Sequence, residues 1–233
     1  MERLDKILSD AGIGSRKELR HIISSGLVRV NGIPVTDAAG KFDRDSSVIQ
    51  VNGVTVNTAK YRYFAICKPK GVLTATEDSH QKTVLDLLPA EIQRLGLFPV
   101  GRLDKDTTGL LILTNDGEYA HRVISPGCHV NKVYLADVER EAVDGAVLKF
   151  QNGLVLADGT ECEPALLEKV SPFRYKVTIH EGKYHQVKRM MAAVGAPVAA
   201  LRRISIGSMI LDESEEDGNW WELTPEEAGT VFL

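Results

Sequence analysis

Cysteine is scarce in this sequence. Its three cysteines (Cys67, Cys128, Cys162) lie far apart and form no C-x-x-C pair, so neither a zinc ribbon nor a disulfide framework is indicated, and a reduced, cytoplasmic protein is expected. Long apolar runs are missing as well. The longest run of branched aliphatic residues is Leu110–Leu113, far short of the ~20 residues that cross a bilayer, so no membrane partner is expected. Met1-Glu2-Arg3-Leu4-Asp5 has neither the basic start nor the apolar stretch of a secretory leader. Lys and Arg vanish from Asp212 to Leu233, where eight acidic residues stand; the remainder holds 28 basic against 24 acidic residues. The net charge of -4 therefore conceals a body of net +4, and a polyanionic partner stays open. With 43% hydrophobic and 26% charged residues the chain has the composition of a globular protein, not of a disordered one.

The first 57 residues read as a small unit of their own. Leu4, Ile7, Leu8 and Ala11 recur at helical spacing up to Gly12 and Gly14. Ser15-Arg16-Lys17-Glu18 has the form of a capping box that opens a second helix. On a helical wheel Leu19, Ile22 and Ile23 share one arc, with Arg16, Lys17 and Arg20 opposite. Short strands broken by the turns Asn31-Gly32 and Asn52-Gly53 follow. Residues 58–61 read as a linker. From 62 to 233 strands (63–67, 109–114, 132–138, 153–156, 165–170, 175–180) mix with helices (84–88, 118–124, 144–151, 185–194) without a βα rhythm. That order predicts an α+β fold with a mostly antiparallel mixed sheet flanked by helices. The acidic stretch Asp212–Asp217 reads as a solvated loop before a terminal strand, Trp220–Leu223.

Two motif lookalikes fail. Gly96 to Gly101 has P-loop spacing, but Arg102 and Leu103 stand where Lys and Ser/Thr are required. His180 and His185 are five apart, not four, and cannot share a helical face as zinc ligands. Three segments remain. Gly101-Arg102-Leu103-Asp104-Lys105-Asp106-Thr107-Thr108-Gly109 sets carboxylates, cations and hydroxyls in a loop before an apolar strand. On composition alone it is either a capping loop or a concave loop offering a carboxylate to a ligand. Glu181 to Met191 sets Lys183, His185, Gln186, Lys188 and Arg189 beside a core stripe of Val187, Met190 and Met191, and a solvated charged face explains it equally well. Lys68-Pro69-Lys70-Gly71 is a basic turn after a strand.

These segments, in this order behind an Arg-bearing helix pair, resemble the pseudouridine synthases of the RsuA family along essentially the whole chain. Residues 1–57 look like an S4-type RNA-binding domain. Gly101-Arg102-Leu103-Asp104-x-Asp106-Thr107-Thr108-Gly109-Leu110 is the most specific match, and Tyr184-His185-Gln186-Val187-Lys188-Arg189-Met190 is similar to the members acting on small-subunit rRNA. Lys105 occupies a slot that is often Lys in the large-subunit relatives, so 23S rRNA is the alternative target to 16S. A non-catalytic S4-type RNA-binding or ribosome-assembly protein is the alternative from another class.

The resemblance implies isomerisation of uridine to pseudouridine in RNA, with no cofactor and no metal. It makes Asp104 the essential carboxylate, attacking the pyrimidine ring or the sugar C1′. Lys188 is its expected partner, since opposite charges ~4 Å apart attract by roughly 4 kcal/mol at an effective dielectric near 20; Arg189 is the second choice. Tyr134 matches the family's active-site tyrosine, able to stack on uracil and to pass a proton. Arg102 is expected at the phosphate, or in the space left by the extruded base. Lys68 and Lys70 are expected to line the substrate channel, with Thr107, Thr108, His185 and Gln186 also on the RNA. Arg3, Arg16, Lys17 and Arg20 are expected to hold rRNA phosphates. The partner implied is a partially assembled small subunit, bound by a monomer.

Overall fold

The computed structural model describes all 233 residues. Helix α1 (Leu4–Asp10) buries Leu4, Ile7 and Leu8. Helix α2 (Arg16–Ser24) starts at the capping box read from the sequence: the Ser15 N–H donates to Glu18 Oε2 at 2.8 Å, and the Glu18 N–H donates to Ser15 Oγ at 3.3 Å. A cap of this kind contributes about 1 kcal/mol. It turns Leu19 and Ile23 inward and leaves Arg16, Lys17 and Arg20 exposed. Strands β1 (Val28–Val30), β2 (Ile33–Pro34), β3 (Ile49–Val51) and β4 (Val54–Thr55) form an antiparallel sheet in the order β2-β1-β3-β4. Both Asn-Gly turns form, with Asn31 and Asn52 at φ 51. Val28, Val30, Ile49 and Val51 close the core against the two helices.

Residues 85–97 belong to this first unit. They hold a 3₁₀ turn (Leu85–Leu87) and the short helix α3 (Ala90–Gln93). A Cβ on Gly12, which sits at φ +77, would stand 2.7 Å from the Glu91 carbonyl oxygen, so this approach requires glycine. The compact units are residues 1–62 with 85–97, and residues 63–84 with 98–233. Residues 85–97, read from the sequence as part of a continuous 62–233 segment, thus group with the N-terminal unit, where buried Leu95 lies close to Gly12.

The second unit is built on β5 (Tyr63–Lys68), β6 (Thr108–Thr114), β7 (Lys132–Val138), β8 (Leu166–Ser171), β9 (Arg174–Ile179), β10 (Val198–Ile206) and β11 (Trp220–Leu223). Their order is β8-β9-β7-β10-β6-β5-β11, and two short strands, Phe98–Pro99 and Met209–Ile210, attach to β6 and β10. Every pair in this sheet is antiparallel except β10 with β6, where Arg203 stands opposite Gly109. Helices α4 (Gly117–Ile124), α5 (Ala146–Gln151), α6 (Gln186–Ala193) and α7 (Pro225–Gly229) complete the unit. α4 is capped by Asp116, whose Oδ1 accepts from the Glu118 and Tyr119 N–H groups at 3.1 Å each. Tyr119 and Val123 of this helix pack on Ile112, Ile206 and Leu223. No helix is long and apolar enough to cross a membrane.

Strand β10 is absent from the sequence reading. In Val198–Ile206 the pair Arg202-Arg203 breaks the apolar pattern, yet Leu201, Arg203 and Ser205 are all buried. The acidic stretch forms a mostly exposed loop, and its Asp217 pairs with Arg202 at 2.7 Å.

Candidate active site

The loop before β6 is held from beneath and from one side. At the end of β5 the Lys68 ammonium, fully buried, donates to the carbonyl oxygens of Pro69 (3.1 Å), Asp104 (3.1 Å), Lys105 (3.4 Å) and Thr107 (2.9 Å). The Gly71 N–H reaches Lys105 O at 2.7 Å. The Thr74 hydroxyl donates to Leu103 O at 2.8 Å and accepts from the Leu103 N–H at 3.2 Å. Residues 103–107 are therefore fixed at the main chain, which frees the Asp104 side chain for other work. Burial pushes Lys68 down to about 8.

Asp104 looks into a cavity of about 900 Å³, a size typical of sites for small ligands (~300–1,000 Å³). Its side chain is 26% exposed. Lys188, on the first turn of α6, lies 3.1 Å from Asp104 Oδ2 and 2.5 Å from Asp106 Oδ1. Partial burial opposes the Lys188 charge, but the hydrogen bonds to Asp106 and Asp104 outweigh it and hold this lysine above its usual range. The same contact with Lys188 holds Asp106 below the usual carboxylate range. His185 adds Nε2 at 3.4 Å from Asp104 Oδ1.

Glu181 aligns the start of α6. Its buried carboxylate accepts from the Glu163 N–H at 2.9 Å and from Gln186 Nε2 at 2.5 Å, and it pairs with Lys183. Gln186 Oε1 in turn accepts from the Lys183 N–H at 2.9 Å.

Tyr134 of β7 lines the same cavity, next to a bulge in its pairing with β10. Arg203 of β10 is 3% exposed. Its Nε donates to Leu110 O at 2.8 Å, its Nη1 lies 3.5 Å from the Tyr134 hydroxyl, and its Nη2 has no partner. Lys132 also lines the cavity and donates to His180 O at 3.2 Å; burial, then the nearby Arg203, pushes it down to about 8. The wall around Tyr134 thus carries two buried cations that form no ion pair. Sequence reasoning missed Thr74, Lys132, Glu181 and Arg203. For Arg203 a signal existed: a charged pair inside an otherwise apolar nine-residue segment.

Of the residues singled out from the sequence, the structure brings Arg102, Asp104, Thr107, Tyr134, His185 and Gln186 to the cavity wall, with Lys188 directly behind Asp104. Others lie elsewhere. Lys68 does not line a channel, because its ammonium is spent on four carbonyls beneath the loop. Lys70 is exposed outside the cavity lining, and Thr108 belongs to β6. Gln186 uses both ends of its amide inside the protein. Arg189 pairs with Asp158 at 2.5 Å. Arg3 is not an unencumbered cation either: it grips buried Asp5 through two hydrogen bonds, of 2.9 and 2.8 Å. Arg16, Lys17 and Arg20 stay exposed and form no ion pair.

Comparison with known proteins fits this geometry. Residues 62–193 match the model for the RNA pseudouridylate synthase family, and residues 2–44 match the S4 domain. An uncharacterized RNA pseudouridine synthase of Bacillus subtilis is 43% identical over 97% of this chain and 96% of its own length. The ribosomal small subunit pseudouridine synthase A of Vibrio cholerae is 39% identical over 99% of both chains. The ribosomal large subunit pseudouridine synthase B of Bacillus subtilis is 38% identical over 97% of this chain and 94% of that one. A crystal structure of a pseudouridylate synthase, 32% identical, superposes over 99% of this chain and 100% of its own with a TM-score of 0.69. Loop, cavity and full-length similarity agree, and the chain belongs to the RNA pseudouridylate synthase family, with an S4 domain at its N-terminus.

Proposed function

We propose that this enzyme converts a specific uridine of small-subunit 16S rRNA to pseudouridine, acting as a monomer in the cytoplasm on a partially assembled subunit. The observation that carries the reading is the Asp104 carboxylate at the cavity wall, gripped at 3.1 Å by Lys188, with Tyr134 lining the same cavity. The 39% identity to a small-subunit enzyme over 99% of both chains supports the choice of RNA.

In this reading the target base leaves its stack and enters the cavity. Asp104 attacks the nucleoside, at the ring or at C1′, two routes that the same pair of side chains serves. The N1–C1′ bond breaks, the base turns, and C5 bonds to C1′. The C5 proton departs and N1 takes one up. Lys188 keeps negative charge on Asp104 tolerable where the inserted base displaces water. Tyr134 lies against the uracil face, and its hydroxyl handles the C5 proton. Arg102, exposed on the cavity wall, takes the phosphate or fills the space left in the stack. Arg16, Lys17 and Arg20 hold the RNA by its backbone.

A second target, 23S rRNA, is favoured by Lys105 and by the 38% identity to a large-subunit enzyme. Pseudouridine mapping separates the two. Small-subunit and large-subunit RNA from cells with and without the gene are compared, and purified protein is assayed for tritium release from C5-labelled transcripts. Loss of one pseudouridine from the small-subunit RNA is expected. Loss from the large-subunit RNA transfers the assignment, and no loss with no tritium release from either RNA leaves a binding protein.

A further inference from the structure

The cavity rim holds a side chain that the proposed chemistry does not use. Tyr184 lines the opening and is 76% exposed, against the burial habit of large aromatic residues. One face of its ring is covered by His185, with centroids 3.9 Å apart and planes within 17°. His185 is itself pinned, with Nε2 3.4 Å from Asp104 Oδ1 and a left-handed backbone at φ 47. The Tyr184 main chain is tied on both sides: its carbonyl accepts from Arg189 Nη1 at 3.3 Å, and the preceding Lys183 N–H donates to Gln186 Oε1 at 2.9 Å. An aromatic ring is thus held in place, backed by a second ring, and open on its other face.

We infer that Tyr184, backed by His185, is a stacking platform for the unpaired base of a nucleotide flanking the target uridine. The inference rests on the reading of the cavity as the seat of an extruded uridine. Extruding a base leaves its neighbours without a stacking partner, and an aromatic face beside the cavity mouth replaces one such contact. Every base has a π-face, so the platform tolerates any sequence and favours the larger area of a purine. Arg102, which forms no ion pair, stands on the same cavity wall for the phosphate between the two nucleotides. The stack also ties substrate to chemistry, since a base resting on Tyr184 presses on the ring that touches Asp104.

The test titrates full-length wild type, Tyr184→Ala, Tyr184→Phe and Tyr184→Trp against synthetic 15-nucleotide RNAs that span the mapped uridine. Each RNA carries one abasic residue, from three positions before the uridine to three after. Stacking of this kind shifts affinity roughly five- to a hundredfold, so Tyr184→Ala is expected to raise Kd about tenfold on intact RNA. Phe and Trp are expected to stay within about twofold, because they keep the π-face. One abasic position is expected to erase the difference between wild type and Tyr184→Ala. An unchanged Kd for Tyr184→Ala, or a defect equal on every abasic RNA, overturns the platform. So does a defect seen on assembled small-subunit particles but not on naked RNA, which would assign the ring to a protein contact. Kd and tritium release are read separately, so failure of the proposed reaction (no tritium release by the wild type) is a distinct result.

Discussion

The ammonium of Lys68 lies 3.1 Å from the main-chain carbonyl oxygen of Asp104, the residue whose carboxylate looks into the cavity. One lysine, wholly out of solvent, therefore fixes the main chain of the loop that carries Asp104.

This burial makes stability depend on pH in a defined direction. Folded Lys68 releases its proton near 8, whereas an unfolded lysine does so near ~10.4. Between those values the unfolded chain holds more protons, so the Lys68 contribution to stability rises with pH and is flat below and above the window. Urea titrations of wild type and Lys68→Met are expected to show the wild type gaining up to about 3 kcal/mol relative to the variant between pH 8 and 10.4. A gap that narrows as pH rises contradicts the burial argument.

Asp104→Asn removes the carboxylate and keeps its size. Tritium release from labelled small-subunit RNA is expected to fall by at least about three orders of magnitude. Tm is expected to shift by no more than a few degrees, since the side chain is partly exposed. Equal release by both proteins removes Asp104 from catalysis.

Lys188→Ala leaves Asp104 and Asp106 facing each other without their shared cation. Single-turnover rate is expected to drop about a hundredfold, equivalent to about 2.7 kcal/mol, with Lys188→Arg recovering part of it. Because Lys188 is held above the ordinary lysine range, its deprotonation cannot produce a fall in rate below pH ~10. Wild-type and Lys188→Arg pH profiles that diverge between pH 8 and 9 would show the contrary.

Arg16→Ala/Arg20→Ala removes two exposed cations from α2. RNA affinity is expected to weaken uniformly across sequences, and the slope of log K against log salt to flatten by about 1.4 to 1.8. An unchanged slope excludes these side chains from the phosphate contacts.

Gly109→Ala tests the one parallel pairing in the sheet. At φ +101 a Cβ there would stand 2.2 Å from the Arg203 carbonyl oxygen, which cannot yield without parting β6 from β10. Destabilisation above about 3 kcal/mol is expected from denaturant titration or loss of soluble expression. Wild-type stability would mean that the strands separate easily.

What was legible in the sequence was local. The α2 capping box, its apolar arc and both Asn-Gly turns depend on residues within a few positions, and all form where expected. The loop around Asp104 was visible as a motif, and so was the helix that carries Lys188. What stayed hidden depends on distant partners. Lys68 read as a basic turn facing substrate, because the carbonyls that absorb its charge come from residues 36 to 39 positions further on. Strand β10 was concealed by Arg202 and Arg203, whose charges are taken up by Asp217 and by the Leu110 carbonyl. The 85–97 excursion was missed because nothing in its own composition says which core its leucines join.

The single parallel contact in the sheet sets a clock on assembly. Arg203 and Leu110 are 93 positions apart, yet the strand carrying Tyr134 joins the one leading from Asp104 only through β10, wedged between them. A ribosome making this chain at ~5–20 residues per second delivers residue 206 roughly 5–20 s after Asp104. During that interval the residues of the N-terminal helices and hairpins have already been made. The newborn polypeptide thus acquires the exposed cations of α2 well before it acquires the chamber lined by Asp104 and Tyr134.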